Sequence, residues 1–253
     1  MNRKNLSLVL LLCVVLAVAA VPRQADAIPA FARQHKISCT TCHAPFPRLK
    51  EFGEEFAGNG FAMPEEENPR QFLDTGDDEL ILNRTFPIAA RFDLYGIYED
   101  LQEVNNDLRV PYGVKLLSGG TVAKNVGYYF YFYMSEQGEV AGVEDAYIHF
   151  NDLGGVPFDI MVGQFQVCDP LMKRELRLTY EDYEIYKHRI GASPNNLAYD
   201  RGVVVTYDVA PTGTGLVGMV VNGNGKTPAG EGSVEGKFDD DKYKNYAARV
   251  SQP

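Results

Sequence analysis

The chain has 253 residues, with 24 Lys+Arg against 34 Asp+Glu and a formal charge of −10. That acidity argues against nucleic acid or another polyanion as a partner. The length suits one large domain, or a small module followed by a β-domain.

The chain opens with a basic pair, Arg3 and Lys4, and a largely apolar run from Leu6 to Ala20. Ala25-Asp26-Ala27 then supplies the small-x-small pattern of a signal-peptidase site, so residues 1–27 are expected to be a signal peptide. The alternative, a transmembrane anchor, calls for ~20 apolar residues. Loss of residues 1–27 removes Arg3, Lys4, Arg23 and Asp26, which makes the exported chain two units more negative.

Cys39-Thr-Thr-Cys42-His43 follows shortly after Ile28, the expected mature N-terminus. A CxxCH pentapeptide reads as covalent c-type haem attachment. The two sulfurs join vinyl groups on one porphyrin edge, and the histidine ligates the iron from one face. Cys13 leaves with the signal, so only Cys168 remains besides the motif. That is too few for a disulfide framework. A structural zinc site would need four close ligands, and His35, His43, His149 and His188 are scattered. A thioredoxin-like site would need CxxC within a βαβ pattern, which is missing.

Residues 28–64 form the expected haem-binding module. Pro47 is placed to start a helix, with Leu49, Phe52 and Phe56 on one face and Gly58-Asn59-Gly60 as its stop. That face is either ordinary core or a cover for the haem. Below ~40 residues a chain usually needs a staple, and covalent haem can be one. Met63 is the first candidate for the sixth iron position, because methionine opposite histidine raises the potential and suits electron transfer. It could equally be a gap-filling core residue, and His35 or an open site are the other options.

Residues 65–84 read as a linker, acidic and Pro-containing over Glu65–Asp78. Beyond it the period changes to two. Ile88, Ala90, Phe92 and Leu94 alternate with a face carrying Arg91 and Asp93. Phe130 and Phe132 oppose Tyr129, Tyr131 and Tyr133; Ala146, Ile148 and Phe150 oppose Asp145, Tyr147 and His149. Eight such segments are expected near 86–98, 110–118, 125–135, 143–150, 157–165, 201–209, 215–223 and 242–250. Each is close to the ~9–11 residues that cross a bilayer at a tilt. Such alternation fits an outer-membrane barrel, and equally any half-buried antiparallel sheet. Between the fifth and sixth segments, Cys168 to Arg189 breaks the period and is rich in charge, reading as a solvated surface helix.

Gly127-Tyr-Tyr-Phe-Tyr-Phe-Tyr133, Val143-Glu-Asp-Ala-Tyr-Ile-His149, Val162-Gly-Gln-Phe165 and Asp200-Arg-Gly-Val203 together resemble the phosphate-selective porin type of outer-membrane barrel over roughly residues 85–222. Ile28-Pro-Ala-Phe-Ala-Arg-Gln34, the CxxCH motif, Phe52-Gly-Glu54 and Asn59-Gly-Phe61 are similar to the haem-bearing module of porin-like monohaem cytochromes from metal-respiring bacteria. The resemblance implies that Lys173, Arg174, Arg177 and Arg189 lie on a loop folded into the barrel, where they attract anions. Two features depart from it. Such barrels usually have about sixteen strands, and the chain ends Val250-Ser-Gln-Pro253, whereas their last strand finishes on an aromatic residue. An N-terminal fragment or a partial barrel is therefore expected.

The expected fold is mainly β: an antiparallel porin-like β-barrel or partial barrel over residues 85–253, preceded by a small helical haem module. The expected function is single-electron transfer by an exported c-type cytochrome at the outer membrane or in the periplasm of a Gram-negative bacterium. One covalent haem c would be held by Cys39, Cys42, His43 and Met63, with His43 and Met63 on the iron. Periplasmic or outer-membrane redox proteins and outer-membrane lipid are the expected partners, and an oligomer is compatible. An electron carrier is favoured over an enzyme, since no Ser-His-Asp set, phosphate loop or paired catalytic carboxylates stands out. The alternatives are a porin-like solute channel with a structural or gating haem, and a haem enzyme with an open iron site.

Overall fold

The computed structural model describes residues 29–45, 48–63, 72–73, 75–77, 82–83, 87–100, 106–171, 184–189, 191, 196–226 and 236–252. The expected signal peptide, Pro47, most of the 65–84 linker, Lys173, Arg174 and Arg177 lie outside them. The fold is mainly β, as expected. After a two-stranded ribbon, β1 (Phe72–Leu73) with β2 (Leu82–Asn83), come eight long strands. They are β3 (Ile88–Tyr98), β4 (Asn106–Ala123), β5 (Val126–Glu136), β6 (Gly142–Phe150), β7 (Phe158–Gln166), β8 (Tyr199–Val209), β9 (Thr214–Val221) and β10 (Asn245–Ser251). Each pairs antiparallel with its chain neighbour, and β3 and β10 are edges not joined to one another. The sheet is thus a partial barrel.

All eight expected segments are strands, although β4 is about twice as long as the periodicity indicated. Its pairing with β3 slips at Asp93/Tyr95 and its pairing with β5 slips at Val114/Lys115. A slip of one residue interrupts alternation, which hides part of a strand from a period-two reading.

The side-chain parity is inside out. Phe92, Leu94, Leu108, Ile148, Val162, Leu216, Tyr246 and Val250 all point to one side and all are exposed, Leu108 to 82%. The opposite side carries buried Asp93, Lys115, Tyr133, Tyr147, His149, Met161, Val204 and Val217. On that side Lys115 Nζ lies 2.7 Å from Asp93 Oδ2 and 4.4 Å above the ring of Tyr133. Arg91 Nε donates to Asp93 Oδ1 at 2.8 Å. Asp200, which opens β8, accepts from the amides of Arg201 (2.7 Å) and Gly223 (2.8 Å). Its motif thereby ties the start of β8 to the turn that leaves β9.

Three short helices precede the sheet: α1 (Pro29–His35), α2 (Cys39–Cys42) and α3 (Glu51–Gly58). They pack on the buried side of the sheet, and Phe56, Ala57 and Phe61 share one core with Tyr147, Met161, Val204, Val217 and Met219. In the charged run between β7 and β8, the described residues form α4 (Cys168–Leu171), α5 (Glu184–Lys187) and a bridge from Arg189 to Asn196. Most of the surface helix expected there, residues 172–183, lies outside the described residues, and Arg189 is exposed.

Candidate haem site

The CxxCH motif is wound into one helical turn. Ser38 caps it, its side chain accepting from the Thr40 amide at 3.3 Å. The His43 amide closes the turn on the Cys39 carbonyl at 2.9 Å. His43 then leaves in extended conformation (φ −122°, ψ 139°) and pairs antiparallel with Leu49. Lys50 ties the return strand down twice, through its amide to the Cys42 carbonyl (2.8 Å) and its Nζ to the Thr40 carbonyl (2.9 Å).

Pro47, expected to start the helix, lies outside the described residues; the described helix begins at Glu51, after the bridge between His43 and Leu49. Leu49 therefore precedes the helix, and Phe52 is 39% exposed while Phe56 is buried. The three do not form one continuous helical face. Gly53 sits where α3 crosses the motif: a Cβ there would lie 2.6 Å from the Cys42 carbonyl oxygen. The chain leaves α3 through Asn59 and Gly60 (φ +64°), as the glycine-rich stop predicted, and Phe61 is also left-handed (φ +62°).

Cys39, Cys42 and His43 all line one cavity of ≈ 90 Å³. Its other walls are Phe31, Ile37, Leu49, Gly53, Phe56 and Phe61 of the module, with Tyr129 from β5. The aromatic walls interlock: Phe61 stacks on Phe31 (4.9 Å, 9°) and on Tyr129 (4.8 Å, 27°), and Phe56 meets Phe31 edge-on at 5.3 Å. Neither motif cysteine is in a disulfide. Burial, then the neighbouring Cys39, pushes the Cys42 thiol up, with Lys50 opposing them.

The donor set fits a c-type haem. Two thiols at one turn's spacing and an imidazole share an apolar, aromatic-walled hollow. The hollow takes one edge of a macrocycle, and a full ring requires its phenylalanine walls to part. Among the described residues no three His, Cys, Asp or Glu side chains gather around one point as a metal-ion site would require.

The other candidates are placed as follows. Met63 is half-buried just beyond α3 and packs against the shared core, outside the cavity walls. His35 is buried and meets Phe56 edge-on at 5.3 Å, again outside the walls. His188 is exposed on the loop after α5. Cys168 is 3% exposed, and burial pushes its thiol up further still.

Tyr129 was not among the sequence-derived site residues. The aromatic run 127–133 signalled a strand, but which of its rings faces the motif depends on how the module docks. No family model, curated protein or solved structure matches the chain. The resemblance to phosphate-selective porins and porin-like monohaem cytochromes therefore rests on its motifs alone.

Proposed function

We propose that the chain is an exported c-type cytochrome that carries one covalent haem for single-electron transfer at the bacterial outer membrane. The observation that carries this reading is the convergence of Cys39, Cys42 and His43 on a single apolar cavity. Cys39 and Cys42 would hold the haem through thioethers to its vinyl groups, and His43 and Met63 would be the candidates to ligate its iron. When bound, the haem supplies a one-electron iron couple. The task of Phe31, Phe56, Phe61 and Tyr129 is to exclude water from it.

The outer-membrane part of the reading is supported by the exposed apolar parity, which runs from Phe92 on β3 to Val250 on β10. A lipid-facing barrel wall has that pattern, apolar outside and polar within. Among the described residues no helix is long and apolar enough to cross a membrane, which says nothing of strands.

The deciding experiment is expression with a cytochrome c maturation system, followed by a pyridine haemochrome spectrum on denatured, acid-acetone-washed protein. A c-type spectrum on the wild type, lost in Cys39→Ala with Cys42→Ala, is the expected result. Loss of all haem from the washed wild-type protein would overturn the reading.

One observation favours a channel as the second reading. A cleft of ≈ 650 Å³ runs between α3 and strands β6 to β10, lined by Glu54, Glu55, His149, Asp159, Asp208 and Arg249 among others. Solute flux through liposomes containing the chain would support it. Shifts of the haem spectrum with small ligands would instead favour an enzyme with an open iron site.

A further inference from the structure

The module and the sheet meet at a contact that admits no side chain. An ideal Cβ on Gly127 of β5 would lie 2.2 Å from the Gly60 carbonyl oxygen. A Cβ on Gly60 would lie 3.1 Å from both the His149 Cβ and the Asn151 Nδ2. Real Cβ atoms do not approach backbone as closely as 2.2 Å, so position 127 needs glycine; a Cβ on Gly60 would press on the two side chains, and its φ of +64° is what calls for glycine there.

Asn151 completes the contact. It is buried at 6% exposure, and its Nδ2 donates to the Asn59 carbonyl at 2.6 Å. Asn59 is the residue that caps α3, so this bond satisfies a helix-end carbonyl from the sheet. Two residues on, Phe61 is held left-handed (φ +62°), a backbone state that is unfavourable in a non-glycine residue. Its ring is thereby directed between Phe31 and Tyr129, the two rings that close the cavity.

We infer that Gly60, Gly127 and Asn151 form a latch that seats the haem-bearing module on the sheet, making Tyr129 a wall of the cofactor cavity. This rests on the haem reading above. The three are positioning residues, acting through Phe61 and Tyr129. With the latch closed, aromatic rings replace water at the macrocycle. A drier site disfavours the ferric form, which carries the extra charge, and so raises the potential. An open latch lets Tyr129 withdraw and water enter.

The test uses the full-length, haem-loaded chain in detergent, with Gly127→Val and Asn151→Ala against Phe130→Leu, a change on the opposite side of the same strand. Midpoint potential is read by spectroelectrochemistry, and the seating of the haem among the rings by circular dichroism in the Soret region. The expected result is a lower potential and a weakened Soret dichroism in both latch variants, with covalent haem retained and Phe130→Leu unchanged. Should Gly127→Val fail to fold, Asn151→Ala carries the test alone, since it removes one hydrogen bond and leaves the glycine contact. Retained haem with unchanged potential and dichroism in Asn151→Ala overturns the latch and leaves the cytochrome reading standing. A wild type without covalent haem overturns both.

Discussion

At the residue scale, Lys115 illustrates what the inward side of this sheet asks of a charge. Its side chain is 2% exposed and its partner Asp93 8%. Neither belongs in an interior unless paired. Removing one member of a buried pair costs roughly 3–5 kcal/mol, while replacing both by apolar groups can be neutral. Asp93→Asn is thus expected to lower stability to guanidinium by about that range, and the double change with Lys115→Met to recover most of the loss. A double variant as unstable as Asp93→Asn would show that the two do not act as a pair. Met63 sets a second test at this scale. If it ligates iron, Met63→Leu lowers the midpoint potential and removes the methionine-to-iron absorption band. The thioether's place beside the core, outside the cavity walls, means that ligation requires the residues after α3 to close over the macrocycle. An unchanged spectrum and potential would remove Met63 from the ligand set.

At the scale of elements, the strands were legible because alternation survives translation into structure. Ile88, Phe92 and Leu94 share one side of β3, and Arg91 and Asp93 share the other. Alternation does not say which side is inside. The buried helical module settles that, by covering the charged side and leaving the apolar one exposed. Lipid on that face makes a specific demand. Leu94→Lys is expected to cost about 2–4 kcal/mol when the chain folds into phospholipid bilayers, as for lysine near the midplane of a barrel wall. Tyr95→Lys, one residue along and facing inward, should cost much less. Folding yields in vesicles read the difference, and equal costs would argue against a lipid-facing wall.

The start of α3 was less legible than the strands. Pro47 is a reasonable first helical residue by local chemistry, but the His43–Leu49 pairing lies between residues with no periodic signature. The contribution of Tyr129 and Asn151 to the module was not legible either. Their partners are separated from them by the whole connector and by two long strands for Tyr129, four for Asn151, and the decisive signal at Gly127 is a missing side chain. The turn at CxxCH was legible because the motif is contained in five consecutive residues, and the haem it suggests is the proposal made above.

At the scale of the whole molecule, eight strands in chain order leave β3 and β10 each with one unpaired side. In a bilayer, unpaired backbone amides and carbonyls cost several kcal/mol each, so on the outer-membrane reading these edges would bear most of the cost of insertion. Stability should therefore fall off from the centre. In detergent, amide hydrogen exchange is expected to be slowest across β6, β7 and β8 and fastest along β3 and β10. Uniform protection to both edges would mean that they are paired in solution.

The inside-out parity also bears on how such a chain is delivered. A wall made of long helices would advertise itself to the secretion machinery as a run of apolar residues and be halted in the first membrane it met. Here many an outward Phe, Leu or Val is followed by an inward Asp, Lys, Gly or Tyr, and the mean hydropathy of the chain stays at −0.22. No stretch after Ala20 offers the ~20 apolar residues that stop translocation. The greasy surface exists only once the strands are paired. On the outer-membrane reading proposed above, the polypeptide would travel until then as a hydrophilic thread, and assembly of the sheet would be the step that commits it to a membrane.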